Sequence, residues 1–137
     1  MAIEYDKLRA MVIEDNEFIR GVIVKMLRGE KLQEVAEAQD GKSAIRLLRQ
    51  GMVPDFIICD IQMAPINGLE FVEFIRNDSE LRKRNTPVII LTANPIKDNV
   101  LKARAYGVDA FLVKPVSRES LLSRIEHVLT NRRPTSS

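Results

Sequence analysis

The chain has 137 residues, of which 45% are hydrophobic and 29% are charged, and its formal net charge at pH 7 is +2. This length fits one domain with a substantial core, and the composition is ordinary for a soluble globular protein. The small net charge and the lack of a long basic run argue against nucleic acid and against a membrane surface as partners.

The first residues lack the basic-then-apolar pattern of a signal peptide, and no stretch approaches the about 20 apolar residues that cross a bilayer. The only cysteine, Cys59, lies inside an apolar run, so we expect a buried, unreactive thiol and no intramolecular disulfide. The only histidine, His127, has no cysteine near it, which argues against a zinc site. A cytoplasmic location is the resulting expectation.

Apolar runs that predict strands alternate along the chain with amphipathic stretches that predict helices. In chain order, the five predicted strand–helix units are 10–13 with 19–29, 34–38 with 44–51, 56–59 with 69–75, 88–91 with 96–106, and 110–113 with 121–129. Four of these strands are continuous apolar runs, as in strands buried on both faces, whereas 34–38 alternates as an edge strand does.

The connection 77–85 is charged and polar, so we expect a solvated loop there, and we expect the tail 131–137 to be frayed. Alternating strands and helices imply a parallel sheet with helices on both faces, because each crossover is right-handed. The sequence therefore predicts one doubly wound (βα)5 domain of the α/β class within residues 1–137, with its core at about 8–130.

Polar side chains follow four of the predicted strands. Glu14 and Asp15 follow the first, Asp60 the third, Thr92 the fourth and Lys114 the fifth. Because the carboxyl ends of parallel strands lie along one edge, these groups can converge on one crevice. Three adjacent carboxylates need a compensating cation, and a set of oxygen ligands suits Mg²⁺. Taken singly, each group could equally cap a helix or end a strand; the joint placement favours a site.

Such a crevice can perform phosphoryl chemistry. Asp60 can act as a nucleophile toward phosphorus and form an aspartyl phosphate. The Lys114 ammonium and Mg²⁺ would neutralise the transferring group, and the Thr92 hydroxyl can donate a hydrogen bond to one of its oxygens.

On these residues, the chain from 8 to about 130 resembles the receiver domain of two-component response regulators. The family's acidic pair falls on Glu14 and Asp15, its phosphoacceptor aspartate on Asp60, its switch threonine or serine on Thr92, and its lysine on Lys114. The resemblance implies a flavodoxin-like, five-stranded parallel sheet in the order 2-1-3-4-5. It also implies the cofactor Mg²⁺.

The resemblance places the metal ligands on Asp15, Asp60 and the backbone carbonyl of Gln62, with Glu14 acting through water. In the family, side chains two residues after the acceptor aspartate and two after the switch threonine flank the water that removes the phosphoryl group. Here these residues are Gln62 and Asn94, two neutral amides.

Further family positions fall on Pro115, the cis-proline, and on Phe111, the switch aromatic, where tyrosine is commoner. The sequence departs mildly from the family after the acceptor aspartate, because Pro65 lies one place later than in many relatives. Gly68 keeps the usual distance from Asp60, so we expect a loop of normal length.

The resemblance implies a stand-alone signalling domain rather than an enzyme. Such a domain catalyses its own phosphorylation and dephosphorylation. It would accept phosphoryl on Asp60 from a histidine kinase or phosphotransfer protein. Only 22 residues follow Pro115 (137 − 115), too few for an output module. We therefore expect a protein target at a face made of the fourth helix, fifth strand and last helix, a face that carries Lys97, Lys102 and Arg118.

Two alternatives remain open at this point. The domain could be a relay intermediate that passes the phosphoryl group onward. It could also be a phosphatase with an aspartate nucleophile, although such enzymes resembling haloacid dehalogenases need a second aspartate at the position of Gln62.

Overall fold

Five parallel strands form one sheet in the order β2-β1-β3-β4-β5, in a computed structural model that describes residues 3–131. The strands are β1 (Arg9–Ile13), β2 (Glu34–Ala38), β3 (Phe56–Asp60), β4 (Val88–Thr92) and β5 (Ala110–Val113). Every neighbouring pair is parallel, and the central strand β3 is buried along its whole length. The predicted fold class and strand order are confirmed.

Five α-helices connect and follow the strands: α1 (Glu17–Gly29), α2 (Gly41–Arg49), α3 (Gly68–Asn77), α4 (Val100–Ala103) and α5 (Arg118–Thr130). Short 3-10 helices lie at Tyr5–Lys7, Leu81–Arg84 and Arg104–Tyr106. No helix within residues 3–131 is long and apolar enough to cross a membrane.

Successive strand residues point to opposite faces of the sheet, and each face has its own core. On one face Val12, Ile58 and Leu91 pack with the apolar sides of α1 and α5. On the other face Ile13, Cys59 and Ile90 pack with α2 and α3. Burial raises the pKa of the Cys59 thiol well above its usual value, as expected for a structural cysteine.

The predicted fourth helix, 96–106, is wrong over its first half. The α-helix comprises only Val100–Ala103, and a 3-10 turn continues it to Tyr106. The cause is Asn99, which has the left-handed φ of +49° and caps a new helix by accepting a hydrogen bond from the Lys102 N–H. Periodicity does not reveal such a local interruption.

The predicted solvated loop 77–85 is also wrong in part, because Leu81–Arg84 forms a 3-10 helix and Leu81 is buried. The Asp78 carboxylate holds this turn by accepting from the Leu81 N–H at 3.1 Å and from Arg49 at 2.9 Å. These contacts hold the pKa of Asp78 below its usual value, with the Leu81 N–H as the largest cause. The frayed tail that we predicted lies, except for Asn131, outside the described residues.

Candidate functional site

The polar residues predicted from the sequence meet at the carboxyl edge of the sheet. β1 ends beside β3 and supplies Glu14, while β3 ends at Asp60. β4 lies between β3 and β5, and the long side chain of Lys114, which follows β5, reaches past the end of β4 to Asp60. Its ammonium nitrogen lies 3.2 Å from Asp60 Oδ2 and 3.0 Å from Glu14 Oε1.

Asp60 is held in a defined orientation at the end of β3. Its side chain is almost fully buried, with the residue only 5% exposed. Oδ2 accepts a hydrogen bond from Lys114, and Oδ1 accepts one from the backbone N–H of Gln62 at 3.3 Å. The central strand and the following turn thus hold the carboxylate, while a cation lies on one side of it.

Glu14 is the most deeply buried acid of the site, at 1% exposure. Burial raises its pKa to about 7, and hydrogen bonding with Asp60 and Asp15 adds to the rise, while Lys114 and the Asn16 N–H act in the opposite direction. Glu14 Oε1 is ion-paired with Lys114 but has no hydrogen-bond partner among residues 3–131.

Lys114 remains an ammonium at neutral pH. Burial lowers its pKa, but the carboxylates of Glu14 and Asp60 outweigh that effect, and the net pKa lies above the usual value for lysine. Within residues 3–131, Lys114 is the cation that pairs with both buried acids of the site.

The acids form a set that fits a hard divalent cation. One carboxylate oxygen from each of Glu14, Asp15 and Asp60 lies within 4.8 Å of the others. Asp15 is exposed and opens onto a cleft of about 510 Å³, whose wall also includes Gln62 and Asp98. Oxygen donors of this kind suit Mg²⁺.

Thr92 ends β4 and is fully buried, but its hydroxyl is already engaged. The hydroxyl donates a hydrogen bond to Asp98 Oδ2 and accepts one from the Asn94 N–H at 3.1 Å. Asp98 was missed as a site residue because the sequence places it inside the predicted fourth helix. Its position just beyond the end of β4, at the same sheet edge as the other acids, is the signal that could have found it.

Gly68 is the second residue whose role at the site emerges from the structure. Its N–H donates to the Ile61 carbonyl at 2.8 Å, so α3 begins directly against the end of β3. A Cβ at this position would lie 2.4 Å from the Asp60 carbonyl oxygen and 2.8 Å from Ile61 Cα. Only glycine permits this approach, which fixes the backbone that carries Asp60.

The next residues concerned are the two prolines and the aromatic residue that the family resemblance singled out. The Lys114–Pro115 peptide bond is cis, as predicted, and Ala64–Pro65 is cis as well. Phe111 is partly buried against the core on the α2–α3 face, and its carbonyl accepts a hydrogen bond from Arg124 at 2.8 Å.

The three basic residues expected on the partner face differ in their surroundings. Lys97 and Lys102 are exposed. Arg118 instead donates to both carboxylate oxygens of Glu30, at 2.7 and 2.9 Å, so its charge is directed toward the end of α1.

The family model of the response regulator receiver domain matches residues 10–126. The chain belongs to this family. It is similar to the chemotaxis protein CheY of Pseudomonas aeruginosa, with 29% identity over 121 residues that cover 88% of this chain and 95% of that protein. Receiver domains are signalling domains of two-component systems, and the identification from sequence is confirmed.

Solved structures of receiver domains share the fold. Chemotaxis response regulator CheY4 of Vibrio cholerae has a TM-score of 0.78 at 30% identity, covering 90% of this chain and 99% of that one. The receiver domain of sensor histidine kinase PA1611 from Pseudomonas aeruginosa has a TM-score of 0.77 at 26% identity, covering 90% and 98%, and carries a magnesium ion in its active-site cleft. Receiver domains bind Mg²⁺ at an acidic site, and this receiver domain has such an acidic group in Glu14, Asp15 and Asp60.

Proposed function

We propose that this receiver domain, with its core at about 8–130, accepts a phosphoryl group on Asp60 from a histidine kinase or a phosphotransfer protein and thereby acts in response regulation. The observation that carries the proposal is the position of Lys114, whose ammonium contacts both Asp60 and Glu14. A buried carboxylate beside a fixed cation and two further acids is suited to receiving an anionic group together with a metal.

In the proposed reaction a carboxylate oxygen of Asp60 attacks the phosphorus of a phosphohistidine. The new P–O bond forms as the P–N bond breaks, and the imidazole of the donor leaves with the bonding electron pair and takes up a proton. Lys114 and the Gln62 N–H already bind the Asp60 carboxylate, so they are placed to stabilise the charge that collects around it. The Thr92 hydroxyl would donate to a phosphoryl oxygen after leaving Asp98.

Asp15, Asp60 and the backbone carbonyl of Gln62 would hold Mg²⁺, with Glu14 acting through water. When bound, the ion neutralises charge on the phosphoryl oxygens. The proposal is supported by the convergence of three carboxylates within 4.8 Å.

We further propose that phosphorylation is transmitted through Thr92 and Phe111 to a face made of α4, β5 and α5, which binds a protein target. On this face Leu101 is 83% and Val113 50% exposed, and Ile96, in the turn that precedes α4, is 91% exposed. Large exposed apolar side chains are typical of surfaces that bind another protein when they form a patch. The exposed Lys97 and Lys102 lie close in sequence to Ile96 and Leu101. This combination of basic and apolar side chains suits a target with acidic and apolar residues.

The proposal is tested by incubating the protein with a small-molecule phosphodonor and Mg²⁺ and mapping the hydroxylamine-sensitive adduct. We expect one labelled residue, Asp60, and loss of the label in Asp60→Asn and after chelation of the metal. Asp55→Asn is the matched control, because Asp55 lies just before β3 and contacts the Arg9 N–H at 2.7 Å. Labelling that persists unchanged in Asp60→Asn contradicts the proposal.

A further inference from the structure

The segment between β4 and α4 contains one helical turn that stops before the helix proper begins. The Asn94 side chain accepts from the Lys97 N–H at 3.0 Å, and the Asp98 N–H donates to the Asn94 carbonyl at 2.9 Å. Asn94 therefore acts as a helix cap, and Pro95 suits the first helical position. The turn ends at Asn99, whose left-handed backbone interrupts it and starts α4 afresh.

Asp98 lies at this interruption and is anchored to the sheet. Its carboxylate accepts the hydrogen bond of the Thr92 hydroxyl, and Thr92 is fully buried at the end of β4. Asn99 follows Asp98 directly. The contact thus connects a rigid strand end to the point at which the helix is broken.

We propose that the Thr92–Asp98 hydrogen bond is a latch that keeps the start of α4 unwound in the resting protein, and that an anion bound at Asp60 opens this latch. This inference rests on the proposed function, since it assigns a regulator to the same site. A threonine hydroxyl has a single proton, so Thr92 donates either to Asp98 or to a phosphoryl oxygen. Asp98 is the positioning residue that holds this proton away from the site.

Charge adds to the competition for the hydroxyl proton. Asp98 lines a cleft that shares Asp15 and Gln62 with the neighbouring cavity of Asp60 and Lys114, so its carboxylate lies next to the region that the phosphoryl group would occupy. A phosphoryl group on Asp60 would be an anion close to the Asp98 carboxylate, and the two would repel each other. The unphosphorylated site lacks this repulsion. Phosphorylation would therefore both remove the hydrogen-bond donor of Asp98 and repel its carboxylate.

Release of Asp98 has a defined structural consequence. When the hydrogen bond to Thr92 is lost, Asp98 is free to move, and the next residue, Asn99, can take the right-handed backbone conformation that a continuous helix requires. A continuous helix could then run from the Asn94 cap to Tyr106, which is the helix that the apolar spacing of the sequence favours. Ile96 and Leu101, both highly exposed, would move with it. The latch therefore couples Asp60 to the proposed partner face.

The latch is tested in the unphosphorylated protein by ¹³Cα secondary shifts, which report helix formation residue by residue. Thr92→Val removes the donor and Asp98→Ala removes the acceptor, so we expect either variant to give helical shifts at residues 96–99. The double variant should add little to either single one, because both remove the same interaction. Lys25→Ala is the control, since it raises helix propensity at an exposed position of α1 while leaving the hydrogen bond intact.

A second measurement follows the binding of beryllofluoride, a phosphoryl mimic, in the presence of Mg²⁺. Without the competing acceptor, Asp98→Ala should bind it about tenfold more tightly than the wild type does, and Lys25→Ala should bind it as the wild type does. Thr92→Val should bind it more weakly, because it lacks the donor altogether.

The outcomes separate the latch from the proposed function. Non-helical shifts at 96–99 in both Thr92→Val and Asp98→Ala, or equal beryllofluoride affinity in Asp98→Ala and wild type, overturn the latch. Failure of the wild type to bind beryllofluoride at Asp60 overturns the proposed function, whereas the shifts of the unphosphorylated variants still decide whether the latch exists.

Discussion

Lys114 and Glu14 form an ion pair of 3.0 Å in which the glutamate is almost fully buried, although they directly follow β5 and β1, two strands that β3 and β4 separate in the sheet. The same ammonium also contacts Asp60. The Lys114 side chain thus compensates two buried acids. Its removal should lower both the stability of the fold and the uptake of phosphoryl by Asp60.

Lys114→Met should reduce the free energy of unfolding by about 2–3 kcal/mol in metal-free buffer, because it leaves two buried acids without their cation. Phosphoryl uptake by Asp60 should fall at least about tenfold, since the transferring charge loses a stabilising partner. Chemical denaturation and labelling with a phosphodonor measure the two effects. Lys25→Met, on the exposed side of α1, is the control and should change neither.

Glu14→Gln should stabilise the metal-free protein at pH 8 by about 1–2 kcal/mol. Folding raises the pKa of Glu14 from 4.5 to about 7, so the protonated form is favoured in the folded state. The resulting cost to wild-type stability is absent below the unfolded pKa and grows as the pH rises toward the folded value. Denaturation curves should therefore coincide for wild type and variant below about pH 4.5, separate progressively between pH 4.5 and 7, and stay apart by a constant amount above pH 7.

The same variant bears on the metal site. Added Mg²⁺ should raise the stability of the wild type more than that of Glu14→Gln, because the ion relieves the carboxylate repulsion that the variant lacks. An equal effect of Mg²⁺ on both proteins would exclude Glu14 from the environment of the ion.

Gly68→Ala should destabilise the protein by about 2–3 kcal/mol, since its Cβ would lie 2.4 Å from the Asp60 carbonyl oxygen, a backbone atom that cannot easily move. The shifted backbone should also slow phosphorylation of Asp60. Thermal unfolding and phosphodonor labelling measure these effects. Gly21→Ala, in α1, is the matched control: no atom lies within 4 Å of its added Cβ, and it should stabilise the protein by up to about 1 kcal/mol.

The lifetime of the phosphoryl group should depend on Gln62 and Asn94. A Gln62→Met/Asn94→Ser double variant should change the rate of dephosphorylation by about tenfold, because two amides that orient water are lost. Serine keeps a capping oxygen at 94, where the native side chain binds the Lys97 N–H. Mg²⁺ affinity should stay within about twofold, since Gln62 would bind the ion through its backbone. Decay at the wild-type rate would refute this role.

The apolar runs of the sequence determined the strands and their order along the chain, because a strand buried on both faces needs continuous hydrophobic residues. The placement of Asp60 and Lys114 directly after such runs likewise determined that they reach one edge of the sheet. These features depend on local composition and on the geometry of parallel sheets, so they could be predicted without coordinates.

Only the tertiary structure decided how the polar groups are paired. The sequence contains two possible caps, Asn94 and Asn99, and periodicity cannot show that α4 starts at Asn99 or that the preceding residue, Asp98, contacts a threonine from another element. The pairing of Arg118 with Glu30, 88 residues apart, is of the same kind. A side-chain hydrogen bond is directional and short, so its partner is set by where the folded backbone places both groups.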